Sequence, residues 1–393
     1  MSDDFSGPGE TFVEVTQRSW LGRAAGSLIA VVIGLILFLG SFPVLIWNEG
    51  RAVAAIDTLN AGARSVVSVA ADHIDPVHDG HLVHVTGVAT VDHPAVDPVF
   101  GVAPVNAVRL RRHVEMYQWQ EHKESQTDKQ LGGGETTRTT YQYRKVWSET
   151  AIDSAGFKQP NGHGNAVMPL HSTMFDANGV RLGAFHLDEG LIGQMSGFKT
   201  LAPPTDATGA GVEPFFRRFG EGFYHGSSPE TPAPGDIQVS FEVIETQPIS
   251  VIAAQVGQRF APFRTGKGPA IEAIDLGTHS AADMFQEAQA SEATMTWILR
   301  GVGFVMMALG VGLMAAPLAW LASVLPVLEG VVDAAAFLVA LIIAIPLTAI
   351  TIAISWIAYR PLLGGGLIIV GLGLAILVRR LAGRRPPRFA TPR

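Results

Sequence analysis

A group of histidines and aspartates early in the chain has the side-chain types that bind metal ions. Its members are His73, Asp75, His78, Asp79, His81 and His84. Imidazole nitrogens and carboxylate oxygens suit zinc and other divalent ions. However, two of the aspartates directly precede Pro76 and Gly80, which is typical of turns, and strand alternation would place His81 and His84 on opposite faces. We therefore expect a solvated turn at this point, with no metal ion and no other cofactor.

Two acids, Glu329 and Asp333, lie between long apolar stretches near the C-terminal end of the chain. Their spacing places them on one face if the segment is helical. A carboxylate within a bilayer costs roughly 2.5–3.5 kcal/mol, so intramembrane acids tend to be functional. If both acids are buried, at least one should be protonated. The alternative, which we favour slightly, is that a proline- and glycine-containing turn holds both in the solvated cytoplasmic interface.

The recognised catalytic motifs are missing from the sequence. There is no Gly-x-Ser-x-Gly, no His-Glu-x-x-His and no Walker loop. The chain has 0 cysteines, which excludes disulfides, thiol catalysis and zinc–thiolate sites. A net charge of -7 without a basic stripe argues against a nucleic-acid partner. We expect a protein without catalytic residues, and a membrane-associated enzyme is the least favoured alternative.

Long uncharged stretches indicate an integral membrane protein. A bilayer core about 30 Å thick needs roughly 20 apolar residues in a helix. We predict four transmembrane α-helices, at residues 24–47, 297–316, 334–358 and 362–378. The first apolar run is longer than a signal-peptide core, so we expect it to be uncleaved.

The rest of the chain divides around these predicted helices. The predicted segments are a loose cytoplasmic N-terminal arm at 1–23, a large β-rich α+β extracytoplasmic domain with flanking amphipathic helices at 48–296, a proline-broken interfacial segment at 317–333 and a basic cytoplasmic tail at 379–393.

Basic residues near the predicted helices give the orientation. The tail carries Arg379, Arg380, Arg384, Arg385 and Arg388. Cytoplasmic flanks are rich in Lys and Arg, so both termini are expected in the cytoplasm and the domain outside it. The excess of Arg over Lys, with abundant Ala and Gly, suggests the inner membrane of a bacterium; a eukaryotic chain would lie in the endoplasmic reticulum or nuclear membrane.

Alternating patterns predict the strands of the domain. They cover His81–Val85, Val105–Leu110, His113–Gln120, Thr140–Trp147, Asp236–Glu245 and Ile249–Val256. We interpret the last two as one hairpin. The spacing of Ser280 and Asp283 resembles a capping box that begins a helix leading into the second membrane helix. The helices that flank the domain are expected to lie beside each other.

Glycines in the fourth predicted membrane helix form two ridges. Gly364 and Gly371 share one, and Gly366 and Gly373 mark the neighbouring one. Small residues let helices approach closely in lipid. If one ridge packs within the chain, the other is left for a second copy, so a homo-oligomer is expected. The alternative, nearly as well supported, is that both ridges pack within the chain.

Two short motifs resemble those of the LUMA (transmembrane protein 43) family. They are Trp47-Asn48-Glu49-Gly50-Arg51-Ala52 after the first membrane helix and Trp356-Ile357-Ala358-Tyr359-Arg360-Pro361-Leu362 between the third and fourth. The resemblance covers nearly the whole chain and implies a scaffold that organises membrane proteins or lipids, with no agreed enzymatic site and with partners that the sequence does not identify. The alternative function is a lipid-binding or channel-like role that uses Glu329 and Asp333.

Overall fold

A computed structural model describes residues 11–129, 134–204, 215–266, 268–322 and 326–361. The chain divides into a β-rich unit, which contains most of residues 58–287 and the N-terminal strand, and a helical unit, which contains Arg18–Asp57 and the chain from Ala288.

The described strands are numbered in chain order. They are β1 Thr11–Arg18, β2 Val67–Val69, β3 Leu82–His93, β4 Ala107–Lys129, β5 Glu135–Ser148, β6 Thr173–Asp176, β7 Asn178–Leu182, β8 Phe185–His186, β9 Lys199–Leu201, β10 Arg217–Phe219, β11 Gly222–His225, β12 Ile237–Glu245, β13 Pro248–Val256, β14 Arg259–Ala261 and β15 Ala273–Leu276. The helices are α1 Trp20–Ser65, α2 Glu189–Gln194, α3 Ala281–Met314, α4 Ala316–Ala322 and α5 Pro326–Tyr359.

The strands form two sheets. The larger runs β1-β5-β4-β12-β11-β10, with β6 paired to β4 and β9 paired to β12. The smaller runs β15-β13-β14-β8-β7-β3-β2, with an additional pairing of β13 and β3. Inward-facing residues of both sheets form one apolar core, which includes Leu110, Val114, Phe241, Val85 and Val251. This agrees with the predicted β-rich domain.

Strand pairing differs from expectation in two places. Two strands predicted between residues 105 and 120 are parts of the single strand β4, which continues to Lys129. The predicted hairpin of β12 and β13 is wrong, because β12 pairs with β4, β9 and β11, whereas β13 pairs with β3, β14 and β15. The chain therefore moves from one sheet to the other between Glu245 and Pro248.

The N-terminal segment also differs from expectation. We expected a loose arm, but Thr11–Arg18 forms β1 and pairs with β5 at the edge of the larger sheet. Glu14 accepts hydrogen bonds from the Tyr141 hydroxyl at 3.1 Å and from Lys158 Nζ at 2.8 Å. The polar composition of this segment fits an edge strand as well as a linker. Composition alone therefore did not reveal the strand.

Three helices within the described residues are long and apolar enough to cross a membrane. They cover Ala24–Ser65, Ala281–Ala322 and Gly330–Tyr359. The chain is thus a membrane protein with a large β-rich domain. The fourth predicted helix, with Gly364, Gly366, Gly371 and Gly373, lies outside the described residues.

The beginnings of α3 and α5 coincide with helix-start signals in the sequence. Ser280 Oγ accepts a hydrogen bond from the Asp283 backbone N–H at 3.2 Å, so the predicted cap is confirmed. Proline lacks a backbone N–H that a first helical turn would leave unused, and α5 begins at Pro326. The segment 317–333, predicted as broken by prolines, contains α4 and the first turns of α5, which are separate helices.

Glycines bring α1 and α3 into close contact. A Cβ on Gly34 would lie 2.7 Å from the Gly310 carbonyl oxygen, and a Cβ on Gly303 would lie 2.5 Å from Leu45 Cδ2. Leu45 is fully buried with Met307 and Ala344, so α5 packs on the same side. Small residues permit this approach where lipid supplies no hydrophobic drive between helices.

Candidate functional site

The first signature motif lies in α1 and the second at the end of α5, and the structure joins them. Glu49 Oε2 accepts a hydrogen bond from Trp356 Nε1 at 2.7 Å. A Cβ on Gly50 would lie 2.8 Å from Tyr359 Cζ, so only glycine lets the tyrosine ring pack against α1 here. Residues 307 positions apart therefore form one contact surface.

Arg300 of α3 completes this arrangement. Its Nε and Nη2 donate to Glu49 Oε1 and Oε2 at 2.6 and 2.9 Å, a bidentate pair. The guanidinium also lies 4.7 Å from the Trp297 ring centroid and 5.7 Å from that of Trp356. Glu49 is 1% exposed. We call Glu49, Arg300 and Trp356 the three-helix cluster, because each comes from a different helix.

Two further contacts join α1 to α3 beside the three-helix cluster. Asn48 is fully buried and its Nδ2 donates to the Thr296 carbonyl at 3.1 Å. Arg51 Nη1 donates to Glu292 Oε2 at 2.6 Å. Since a Cβ on Gly62 would also lie 3.0 Å from a Phe285 ring carbon, α1 and α3 lie side by side along both predicted flanking segments.

The remaining signature residues have peripheral positions. Trp47 is 59% exposed, and Arg360 contributes its backbone N–H to the Trp356 carbonyl at 2.7 Å. Pro361 is exposed at the end of the described chain.

The predicted acids of α5 are only partly described. The side chain of Glu329 lies outside the described part of the structure. Asp333 is exposed and lines a cavity of about 490 Å³ among α1, α3, α4 and α5. Most of the wall is apolar and much of it small, with Ala30, Gly312 and Ala336, whereas Ser27 and Trp320 join Asp333 as residues with polar groups.

Three of the residues considered as metal ligands, Asp75, Asp79 and His84, take part in hydrogen bonds within the β-rich unit. Asp75 Oδ1 accepts from the Val77 N–H, and Asp79 Oδ1 from the Gly257 N–H. His84 is buried between Ser68 Oγ at 3.1 Å and the His279 carbonyl at 3.0 Å. Burial lowers the pKa of His84, so the imidazole is neutral at pH 7.

Sequence reasoning identified Glu49 and Trp356 but missed Arg300. The signal was present: a single arginine beside an apolar stretch needs a counter-ion, and Glu49 has the same need. Glu49 was noted directly after the first apolar run, whereas Arg300 lies within the second predicted membrane helix and was not considered. The 251 residues between them hid the pair.

The chain was compared with known proteins. A sequence profile described as Transmembrane protein 43 matches residues 116–361. Transmembrane protein 43 of Homo sapiens is 34% identical over 384 residues, covering 93% of each chain. The Rattus norvegicus protein of the same name is 33% identical, with 92% of this chain and 94% of the relative covered. Transmembrane protein 43 homolog of Drosophila melanogaster is 28% identical, over 86% of this chain and 91% of its own.

No solved structure shows significant similarity to the chain. The profile match and the relatives together cover both signature motifs and the helices that carry them. The chain belongs to the transmembrane protein 43 (LUMA) family.

Proposed function

We propose that the protein is a multi-pass membrane scaffold that organises other membrane proteins or lipids and performs no catalysis. The observation that supports this is the three-helix cluster. Its polar groups bond to one another across α1, α3 and α5, which fixes the mutual position of the helices. A general acid or nucleophile would instead need an unoccupied group facing a substrate.

Purification from native membranes in mild detergent tests the scaffold. The wild-type chain is expected to retain a reproducible set of membrane proteins or lipids. Arg300→Met should lose them, because Glu49 then lacks its charge partner. Arg51→Met is the matched control, since its pair with Glu292 is partly exposed, and it should retain the set. Recovery of the wild-type chain with nothing specific bound would contradict the proposal.

The orientation in the membrane is part of the proposal. The basic tail supports cytoplasmic termini and an extracytoplasmic location for the part of the β-rich domain that follows α1, so that β1, which precedes α1, would lie on the cytoplasmic side. Because the chain has 0 cysteines, a cysteine introduced at Thr139 or Ser2 is a unique label. An impermeant thiol reagent should label the first in intact spheroplasts and leave the second unlabelled. The reverse pattern would place the domain in the cytoplasm.

Self-association is proposed through the fourth apolar stretch. Its support is the spacing of Gly364, Gly366, Gly371 and Gly373 in the sequence. Gly364→Leu and Gly371→Leu should shift the mass of the protein in nanodiscs toward the monomer while the β-rich domain stays folded. A monomeric wild-type chain would end this proposal.

A second candidate function is lipid binding or conduction, and the cavity beside Asp333 favours it. The cavity of about 490 Å³ has a largely apolar wall that includes the carboxylate of Asp333. This composition suits a lipid chain with a polar group near Asp333. Asp333→Asn and Glu329→Gln should abolish any conductance of reconstituted liposomes if the acids line a wet path. Conductance that survives both changes would show that neither acid lines the conducting path.

A further inference from the structure

The β10–β11 hairpin at one edge of the larger sheet has two faces of opposite character. On the inner face, Phe216 and Phe223 are almost fully buried. Their ring centroids lie 5.3 and 5.0 Å from that of Phe100, which is also buried. Edge-to-face and tilted aromatic contacts of this kind stabilise a core beyond area burial alone. The hairpin is therefore held firmly to the sheet from its inner side.

The outer face of the hairpin presents aromatic and basic side chains to solvent. Phe215 is 66% exposed and Phe219 52% exposed, and Arg217 lies between them on the same face because strand residues alternate. His225 Nδ1 lies 2.8 Å from the Phe215 carbonyl oxygen, which fixes the backbone there. Phe219 in β10 and Phe215 just before it are two exposed phenylalanines on a firmly held segment, which is unusual for a surface that only meets water.

The two arginines of the hairpin are bonded to neutral groups. Arg217 Nη2 donates to the Ser227 carbonyl at 2.8 Å, and its guanidinium lies 5.7 Å from the Tyr224 ring centroid. Arg218 Nη2 donates to the Pro203 carbonyl at 2.7 Å. Among the described residues, neither arginine forms a salt bridge with a carboxylate. These contacts therefore orient both guanidinium groups, and only Arg217 lies on the outer face, because Arg218 is paired with the inward-facing Phe223.

A polar cavity of about 550 Å³ adjoins the outer face. Arg217, His225 and Ser227 line it, together with Phe215 and Tyr224. The carboxylate of Asp236 also lines it, but Oδ2 accepts hydrogen bonds from the Tyr224 hydroxyl at 2.6 Å and from the Ala233 N–H at 2.9 Å. This cavity offers donors for an anionic oxygen next to an aromatic surface.

We propose that the outer face of the β10–β11 hairpin docks on an anionic phospholipid surface. Phe215 and Phe219 enter the boundary between headgroups and acyl chains, and Arg217 contacts lipid phosphate. Apolar area and electrostatic attraction act together in such binding. The same chain has helices long and apolar enough to cross a membrane, so a lipid surface accompanies the protein. The inference does not depend on the proposed scaffold role.

The absence of cysteine permits a direct test in the full-length protein. Glu221→Cys, in the exposed turn of the hairpin, carries an environment-sensitive fluorophore, and the protein is reconstituted in liposomes with and without phosphatidylglycerol. In anionic liposomes, spin-labelled lipid is expected to quench this fluorophore. The same label at Val105→Cys, an isolated valine that is 82% exposed, should remain unquenched.

Variants that keep the label at residue 221 separate the contribution of the phenylalanines from that of the arginine. Phe215→Ser with Phe219→Ser should abolish quenching, and Arg217→Gln should weaken the preference for anionic lipid about fivefold. Thermal unfolding of the β-rich domain checks that these surface changes leave it folded. Quenching equal to that at Val105→Cys, or quenching that survives the double serine change, would overturn the proposal. If the label were shielded from solvent in native membranes but not in pure liposomes, the surface would bind a protein and the proposal would be overturned.

Discussion

Each unit of the structure contains a buried carboxylate bound to an arginine. In the β-rich unit Arg112 Nη1 lies 2.8 Å from Asp97 Oδ2, and both side chains are buried. In the helical unit Arg300 Nε lies 2.6 Å from Glu49 Oε1, and the arginine is only slightly exposed. The two pairs are similar in geometry, but the groups around them differ.

Apart from a hydrogen bond of Arg112 to the Thr173 hydroxyl at 3.2 Å, the other partners of the pair in the β-rich unit are backbone groups. Asp97 Oδ1 accepts from the N–H groups of Val99 at 2.8 Å and Phe100 at 3.3 Å. Arg112 Nη2 donates to the His171 carbonyl at 3.3 Å. Glu49 is instead bonded to side chains of two other helices. The pair of Arg112 and Asp97 thus holds loops against the core, whereas the pair of Arg300 and Glu49 holds particular helix faces together.

This difference follows from the surroundings of each unit. In water, apolar burial brings the sheets together, and a buried ion pair then refines the loops. Lipid is as apolar as a leucine side chain, so helices need close packing and polar contacts to select their partners. The comparison predicts that loss of the Arg112–Asp97 pair lowers the free energy of unfolding of the β-rich domain. Loss of the Arg300–Glu49 pair should instead weaken the association of the helices.

The largest effect is expected from Arg112→Met. It leaves Asp97 buried without its charge partner, which should cost about 3–5 kcal/mol in the free energy of unfolding of the β-rich domain. Urea unfolding followed by tryptophan fluorescence measures this. Arg181→Met is the matched control, because its pair with Asp92 is exposed, and it should cost less than about 1 kcal/mol. Equal losses in both variants would remove the distinction.

Arg300→Met should cost about 3 kcal/mol, since Glu49 retains the Trp356 donor. The loss should appear in the thermal unfolding of the helical unit in detergent while the β-rich domain melts as before. Arg51→Met provides the comparison within α1 and should cost less than Arg300→Met, because its pair with Glu292 is more exposed than the pair of Glu49 and Arg300. A β-rich domain that also loses stability with Arg300→Met would contradict the separation of roles.

Trp356→Phe keeps an aromatic ring but removes one hydrogen bond to Glu49. A hydrogen bond to a charged group contributes about 1.5–3 kcal/mol, and the lower value is expected because Arg300 remains. The measurement is the same melt of the helical unit. Trp297→Phe is the control, since this ring contacts Arg300 without bonding Glu49. A larger loss in the control would assign the energy to ring stacking.

The smallest effect is a pH dependence in the β-rich domain. Burial acts to lower the pKa of His113, but hydrogen bonds and charge from Glu242 and Glu149 outweigh it and raise the pKa. The stabilisation is therefore complete below the unfolded-state pKa, about 6.5, and is lost as pH rises through the higher folded-state pKa. Denaturant midpoints should fall with rising pH in this range.

His113→Gln tests this assignment, because the pH dependence above about 6.5 should flatten in the variant. The lowered pKa of His84 acts in the opposite direction, since that group costs stability when pH falls below its unfolded-state pKa. An unchanged slope in His113→Gln would assign the titration to another group.

Local sequence patterns predicted the helices and strands well, but they did not predict which strands pair or which side chains bond to each other. Uncharged length indicated the apolar helices, and Ser280 marked the start of α3, because both signals reside in neighbouring residues. The separation of β12 and β13 into different sheets depends on which distant strand offers a matching face. Arg300 is a similar case, since its counter-ion is on another helix. Pairing over long distances in the sequence leaves no periodic signal.

The edge strand β1 has a consequence for membrane insertion. Its hydrogen bonds to β5 require both strands in one compartment, and the polar β4–β5 hairpin cannot enter hydrocarbon. A first helix that crosses the bilayer would separate β1 from the domain that follows α1. Cysteines at Phe12 and Tyr141, whose ring centroids are 6.1 Å apart, should therefore cross-link before insertion and fail to do so afterwards. Insertion would leave β5 as an open sheet edge, ready to accept a strand from another chain.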